Sequence, residues 1–563
     1  MNKLHTGFIV ANMLMEYGVE YIFGIPGGQT LPLYDATYAN RDRIKHIIMR
    51  DERDAGHAAC AYSRISKKVG VCDATVGPGA TNLPSALGEA LNSSTPLIAI
   101  IGEHPTAWIN KIEKGRASQG IDQISMLKAV TKKTLYVTRQ DIVPSLVKTA
   151  FAEATSGRAG PVALVIPSDV FQQEYADLNT EIYIDKTFSS YPAHRFVPDF
   201  NMIREASKLI KRAHQPVMLI GGGAIISGAM DVAKEFAEKY QIPLVYTITG
   251  KGILADDHPL NMGVAGIFAN VPSAETALRE ADLVFIIGSK NSQSTTFGWT
   301  LPTPNQKVIH LDIDPAEVGT IFRTDIGLVG DAKLGLTSLL QAMEMNKEEQ
   351  QNSTEWIPKL QAIKSQWEAR KIELFKTIDK PIKPYRIMDA INNVTREDDI
   401  IVCDAGFASA WGAMYITQKK AGRYQLYPRG LAGLGFAVAA GIGAQLAAPN
   451  NRIITLSGDG AFTYDMAELA VEAKMNLPII NIVLNNSAYG WVRWAEGAWY
   501  GNSFKASELQ EIDFTKIAEG LGCVGIKIEN PSELEDSIRY AINLNKPVVL
   551  DVSTDSESTP IIK

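Results

Sequence analysis

The sequence predicts a three-part α/β protein in which each part is built on a parallel sheet. Strand-like apolar runs alternate with amphipathic helical segments almost throughout, the pattern of parallel strands joined by crossover helices. The 563 residues are too many for one hydrophobic core, and a content of 46% apolar and 21% charged residues is that of an ordinary globular protein. The alternation lapses twice. Residues 179–199 (NTEIYIDKTFSSYPAHRFVPD) turn polar and proline-containing, and in 343–358 (MEMNKEEQQNSTEWIP) charge and amides dominate. Both read as exposed linkers and divide the chain into about 1–185, 186–345 and 370–563.

The elements follow in order. The first part holds YIFGIPGG, HIIMR, GVCDATVGPGATN, PLIAIIGE and PVALVIPSD, each a strand or strand end followed by turn chemistry. The middle part holds PVMLIGGGAI, PLVYTITGKG, LVFIIGS and KVIHLDID; the last holds IIVCDAG, RIITLSGDG, PIINIVLNN and PVVLDVS. In parallel sheets ligands bind at the carboxyl ends of strands, so these glycine-rich ends are where functional residues are expected.

Composition excludes some functions. The balance of 55 basic and 62 acidic residues gives −7, no electrostatic basis for binding nucleic acid or an anionic membrane. Partners are therefore expected to be small molecules or other subunits. Cys60, Cys72, Cys403 and Cys523 have no CxxC spacing and lie mostly in apolar segments, which predicts buried free thiols and a reducing compartment. The N-terminal MNKLHTGFIVANMLMEYG is charged and amphipathic rather than leader-like, and no 18-residue apolar run occurs. A cytoplasmic location is expected.

The most informative motif is Gly458-Asp459-Gly460, which follows the apolar strand 452–457 (RIITLS). Glycines at a strand end let backbone N–H groups approach an anion closely. A helical segment (465–475) and a second strand (478–484) return the chain to the same sheet edge, bringing Asn486 beside Asp459. A carboxylate, an amide carbonyl and a loop carbonyl are hard oxygen ligands that, with diphosphate oxygens and water, suit octahedral Mg²⁺. Either motif alone also reads as an ordinary loop. Together, 486 − 459 = 27 residues apart on a strand–helix–strand unit, they point to a metal–diphosphate site.

This GDG…NN pair resembles the signature of thiamine diphosphate enzymes. The three successive parts resemble the pyrimidine-binding, central and diphosphate-binding domains of the acetolactate synthase-like branch, over essentially the whole chain. The resemblance implies thiamine diphosphate and Mg²⁺ as cofactors. It implies Asp459, Asn486 and the carbonyl of Ala488 as metal ligands, with Gly460, Ala461, Tyr489, Gly490 and Trp491 around the diphosphate. Gly406, Phe407, Ala408 and Ser409 occupy the second diphosphate loop, where Phe407-Ala408 replaces a usual Gln-His pair and Ser409 reads either as a cofactor contact or as a helix cap. The stretch 430–436 (GLAGLGF) resembles GGxGxMG, which implies Ala432 as a cofactor contact and Leu434 as the bulky wedge between the two cofactor rings. By composition alone that leucine is core.

The resemblance also implies an activating acid, Glu52 in RDERDAGHAA (50–59), which holds and protonates the aminopyrimidine so that its amino group can take the C2 proton. By composition alone Glu52 belongs to a solvated charge cluster. Pro26, Gly27, Gly79 and Asn82, in GIPGGQ and GPGATN, are implied around the same ring. Glu52 and Asp459 lie in different domains, and in this family one site combines two chains. A homodimer is therefore the implied minimum, with homotetramers among relatives.

The implied substrate pocket comprises Gly28, Gln29, Ser118, Gln119, Trp491, Val492 and Trp494. Gln119 faces the reacting carbon in the family and is a candidate catalytic residue; read alone it is a polar loop residue. Ser118 stands where acetolactate synthases carry phenylalanine, and Trp494 falls one position before the family's tryptophan. In the middle part, IGSKNSQS (287–294) replaces the RFDDR-like segment that holds FAD, which predicts no tightly bound FAD although Gly221–Gly223 and 312–314 (DID) match. The implied activity is decarboxylation of pyruvate or another 2-oxo acid with transfer of the acyl carbanion to a carbonyl acceptor. Simple decarboxylation, cleavage or hydrolysis of a diketone or acyloin, and a catalytically inert regulatory paralogue are the alternatives. His57 and His104 each stand alone, unlike the histidine pair of simple decarboxylases, which favours carboligation.

Overall fold

The computed structural model describes residues 4–174 and 183–561. Part of the first predicted linker, 179–182, lies outside the described residues. Three six-stranded sheets follow one another along the chain, and every strand pairing is parallel. The N-terminal sheet comprises β1 (Tyr21–Gly24), β2 (Lys45–Ile48), β3 (Gly70–Ala74), β4 (Leu97–Glu103), β5 (Lys133–Tyr136) and β6 (Pro161–Pro167). The central sheet comprises β7 (Pro216–Ile220), β8 (Leu244–Tyr246), β9 (Asn261–Val264), β10 (Leu283–Ile287), β11 (Lys307–Asp312) and β12 (Ile326–Val329). The C-terminal sheet comprises β13 (Ile400–Cys403), β14 (Gln425–Leu426), β15 (Ile453–Gly458), β16 (Ile480–Asn485), β17 (Val524–Ile528) and β18 (Val548–Ser553).

Helices cover both faces of these sheets, so the inner strands are continuous apolar runs; β4 and β6 are buried at every position. The strand orders locate the sites. The N-terminal order, β2-β1-β3-β4-β6-β5, recurs in the C-terminal sheet as β14-β13-β15-β16-β18-β17. In each, the order reverses between the first and third strands, and the crevice at that reversal is where a doubly wound sheet binds its ligand. GIPGG and GPGATN follow β1 and β3; DAG and GDG follow β13 and β15. The central order, β12-β11-β10-β7-β8-β9, reverses instead between β7 and β10.

The outer domains join through two helices, Glu52–Ser66 and Ala437–Ala447, that cross closely because their facing residues are small. At Gly443 a side chain would meet the carbonyl oxygen of Ala58 at 2.0 Å. The second predicted linker is exposed at many positions, as its polarity suggests, yet it is docked rather than free. Gln351 and Ser353 donate backbone N–H groups to the carbonyls of Lys211 and His214, and the indole of buried Trp356 donates to Pro216 O across 3.1 Å. A polar segment has docked because its amides satisfy backbone groups around the start of β7. Among the described residues no helix is long and apolar enough to cross a membrane.

Candidate functional site

Adjacent strands set the C-terminal half of the site. Gly458 pairs with Leu484 in register, so the chains leaving β15 and β16 emerge side by side. Asp459 opens a short helix (Asp459–Asp465). Its Oδ1 accepts the N–H of Gly460 at 2.7 Å and its Oδ2 that of Asn486 at 3.1 Å, while Asn486 Oδ1 accepts from Ala488 N at 3.1 Å. Ser487, at φ 52°, makes the turn. Burial pushes the Asp459 carboxyl up to about 6, with these N–H groups pulling the other way. A cation is what a desolvated carboxylate at a strand end is suited to hold. Among the described residues no group of three or more His, Cys, Asp or Glu could hold a metal ion. The donors here are mixed oxygens, and they fit Mg²⁺ rather than zinc.

The neighbouring predicted residues converge on this point. The Tyr489 ring covers Gly460, where a Cβ would lie 2.4 Å from it, and the Phe407 ring approaches Gly490. Ala461 is buried beneath. Gly406, exposed and at φ 73°, starts the helix Phe407–Tyr415, which carries Ala408 and Ser409. The Ser409 hydroxyl donates to Asp404 O across 2.5 Å, so its proton is committed within the chain and only its oxygen remains to accept. The Asp404 carboxylate accepts the N–H groups of Ala405, Gly435, Phe436 and Ala437. It thereby ties the loop 404–409 to the stretch carrying Leu434, which is half-buried beside Ala432 at φ 60°.

The N-terminal half centres on Glu52. Asp51 caps its helix by accepting from Arg53 N at 2.8 Å, and Glu52 is the first helical residue, only 7% exposed. Its Oε2 accepts from Asn82 Nδ2 at 2.9 Å, and a side chain at Gly79 would approach its Oε1 to 3.0 Å. Glu52, Gly79 and Asn82 are thus brought together, and the solvated-cluster reading fails because the helix start is packed against another domain. Glu468 Oε1 accepts the N–H groups of Arg50 and Asp51, and Arg53 donates to Tyr464 O. Along the rim, Gln29 Oε1 accepts from Thr75 Oγ1 at 2.7 Å and Gly27 N donates to Thr30 Oγ1, while Pro26 and Gly28 are exposed.

Ser118 and Gln119 are exposed, and Gln119 is left-handed at φ 65° against Gly77, where a Cβ would meet its carbonyl oxygen. His104 is bonded to a carboxylate and a carbonyl rather than to a second histidine. Its Nδ1 lies 3.0 Å from Glu103 Oε1 and its Nε2 2.8 Å from the carbonyl of Ser118, while Gln123 donates to Glu103 Oε2 and accepts from Gly77 N. Glu103 is the last residue of β4, whose preceding residues are all uncharged, and a charged pair at the end of such a strand was the signal. His57 is buried edge-on to Phe436 with no hydrogen bond at either ring nitrogen, and burial pushes its pKa down to about 3, so it stays neutral.

On the substrate side Trp491 and Trp494 stack at 5.0 Å on the helix Gly490–Tyr500, with Val492 exposed between them. Trp491 also meets Phe407 edge-on at 5.9 Å, Trp499 at 6.1 Å and Phe268 of the central domain at 4.7 Å. Trp499 was legible in the aromatic spacing of WVRWAEGAWY; Phe268 was not, because only the tertiary fold brings it there. Arg493 pairs with Glu557 at 2.6 Å, and Glu496 accepts from Ala506 N and Ser507 Oγ, so these two charges staple loops rather than face the pocket.

A separate cavity of about 360 Å³ opens at the central strand-order reversal, bordered by Gly222, Ser289, Asp312, Arg423 and Arg429. Gly288, at φ 59°, lets β7 and β10 end in contact: a Cβ at Gly221 would lie 2.1 Å from its carbonyl. Packing against Gly288 accounts for Gly221 and Gly223, whereas Gly222 borders the cavity.

A site divided between two α/β domains with a third between them in sequence defines a class of cofactor enzymes, and the comparisons identify it. Residues 4–126 match the thiamine pyrophosphate enzyme N-terminal TPP binding domain, 203–339 the central domain and 404–552 the C-terminal TPP binding domain. The chain is 35% identical to a probable acetolactate synthase large subunit of Methanocaldococcus jannaschii, over 98% of this chain and 92% of that protein. It is 33% identical to the acetolactate synthase large subunit of Corynebacterium glutamicum over 98% and 87%, and to the acetolactate synthase of Mycobacterium bovis over 100% and 90%. The chain belongs to the thiamine pyrophosphate enzymes, in their acetolactate synthase-like branch.

Proposed function

We propose that the protein is a thiamine diphosphate- and Mg²⁺-dependent carboligase that decarboxylates pyruvate or another 2-oxo acid and transfers the acyl unit to a carbonyl acceptor. The observation that carries this reading is the Asp459–Asn486 pair at neighbouring strand ends, together with the buried Glu52 at the corresponding edge of the other sheet. When bound, thiamine diphosphate supplies an acidic C2–H and an electron sink for the carbanion left when a bond beside a carbonyl breaks.

The chain's own residues do the rest. Asp459 and Asn486 offer oxygens to Mg²⁺, and the carbonyl of Ala488 completes the protein's share. The N–H groups around Gly460 and Gly490 suit the diphosphate. Glu52, steadied by Asn82, would hold a proton toward the aminopyrimidine, and Leu434 would pack against the bound cofactor. Trp491, Trp494 and Phe268 form an aromatic wall that excludes water from the acyl unit, which favours ligation over release. Gln119 is exposed in the single chain and is suited to a carbonyl or carboxylate.

Two chains are required on this reading. Support comes from Gln119 and Leu431, exposed on loops, and from Trp499, exposed on the helix Gly490–Tyr500. Four buried free cysteines support a reducing, cytoplasmic setting. The test is a mass-spectrometric screen of 2-oxo acids, diketones and acyloins with both cofactors, following CO₂ and products together. Ligated 2-hydroxy-2-acyl acids with one CO₂ per turnover support carboligation; free aldehyde indicates simple decarboxylation, and turnover of diketones without CO₂ indicates cleavage.

A further inference from the structure

The stretch that carries Leu434 is held from both ends by buried carboxylates, and one of them comes from the other domain. Glu89 lies on the N-terminal helix Pro84–Asn92 and is 1% exposed. Its Oε2 accepts three successive backbone N–H groups, from Gly430 at 2.9 Å, Leu431 at 2.7 Å and Ala432 at 3.2 Å. Its Oε1 accepts from Arg64 at 2.7 Å. Each nitrogen of the Arg64 guanidinium has an acceptor: it also donates to Thr95 Oγ1, to the carbonyl of Tyr427 and to Ser93 Oγ.

At the far end Asp404 takes the N–H groups of Gly435, Phe436 and Ala437. Only Gly433 and Leu434 lie between the two grips. The grip by Glu89 also spans Ala432, whose left-handed backbone (φ 60°) is unfavourable for a residue with a side chain. Burial alone would raise the Glu89 carboxyl, but Arg64 and the N–H groups of Leu431 and Gly430 hold it below the usual value, so it is ionised and a strong acceptor. A buried ion pair is costly to desolvate and does little for stability that apolar packing would not do. Here its remaining oxygen is aimed entirely at one loop of another domain.

We propose that Glu89, neutralised by Arg64, is a positioning residue for the cofactor wedge: it fixes the backbone of 430–432 so that Leu434 stands at the angle the bound cofactor requires. The inference rests on the cofactor reading above. Glu89 touches neither cofactor nor substrate, and acts through the loop.

The experiment measures C2–H/D exchange of thiamine diphosphate at saturating cofactor and Mg²⁺ in full-length wild type, Glu89→Gln, Leu434→Ala and the double variant, with thermal melting of each as a folding control. Glu89→Gln preserves shape and one acceptor oxygen but not the charge opposite Arg64. The expected result is exchange slowed at least about tenfold in each single variant, as displacement of a reacting geometry by a fraction of an ångström does. The double variant is expected to be no slower than Leu434→Ala, since both changes remove one function. Exchange within twofold of wild type in folded, saturated Glu89→Gln overturns the proposal, as does strict additivity in the double variant. Should Glu89→Gln not fold, Arg64→Lys replaces it in the same cycle, with the same expectation and the same overturning result. A wild type that binds no thiamine diphosphate at all refutes the cofactor reading instead.

Discussion

Asn486 donates its backbone N–H to Asp459 Oδ2 across 3.1 Å, joining two strand ends that are 27 residues apart in sequence. This contact turns two loops into one pocket. Replacing Asp459 by alanine removes the only carboxylate among the proposed metal ligands, and a direct ligand is worth more than the about 10–100-fold typical of an outer-shell partner. Titration calorimetry of thiamine diphosphate with and without Mg²⁺ is expected to show the Mg²⁺-dependent gain in affinity abolished in Asp459→Ala, while circular dichroism stays that of the wild type.

The proposed division of the site between two chains gives a mixing test. Glu52→Gln and Asp459→Ala homodimers are each expected to be inactive. Unfolded, mixed in equal amounts and refolded, half the dimers carry both chains and each mixed dimer has one intact site, so about one quarter of wild-type activity returns. No recovery with normal dimer formation means that each site is built within one chain.

Much of this was legible in sequence, for physical reasons that can be named. Parallel strands buried on both faces are continuous apolar runs, so β4, β6, β15 and β16 declared themselves. The glycine-bearing ends of β1, β3, β13 and β15 then marked the ligand edge. Glu52 was harder, because RDERD has the composition of a solvated face; the docking of its neighbours Arg50 and Arg53 on Glu468 and Tyr464 and its own bond from Asn82 take it out of water. Glu89 was not legible, since one acid in ALGEALN looks like the exposed position of an amphipathic helix. Its burial depends on Arg64, 25 residues earlier, and on a loop of another domain. Phe268 was hidden for the same reason. Ser409 shows the converse, a residue at the expected position whose hydroxyl proton is already used.

The aromatic wall predicts a specificity effect. Trp491→Ala removes the stack on Trp494 and the contacts with Phe268 and Phe407. Aromatic contacts are worth about 0.5–1.5 kcal/mol each beyond burial, so acceptor KM is expected to rise about three- to tenfold while CO₂ release from the donor changes little. The ratio of ligated product to free aldehyde, measured by mass spectrometry, should fall accordingly.

A pH effect arises where the two outer domains meet. Burial, with Asp54 adding to it, pushes the Glu468 carboxyl up to about 8, against an ordinary 4.5. Burial likewise pushes Asp54 up to about 7 from 3.8, with Arg53 pulling the other way. Both groups bind protons more tightly folded than unfolded. Their stabilising contribution is therefore complete below the ordinary carboxylate range and is lost as pH rises through about 7 to 8. Cofactor-free protein is expected to melt a few degrees lower at about pH 8.5 than at about pH 6. Glu468→Gln, which keeps an acceptor for the N–H groups of Arg50 and Asp51, is expected to flatten that slope.

Activation of bound thiamine diphosphate by Glu52 is read most directly by C2–H/D exchange, which needs no substrate. With cofactor and Mg²⁺ saturating, wild type is expected to accelerate exchange by orders of magnitude over free thiamine diphosphate, and folded, cofactor-bound Glu52→Gln to lose at least about 100-fold of that acceleration. Exchange in Glu52→Gln at the wild-type rate would contradict the account.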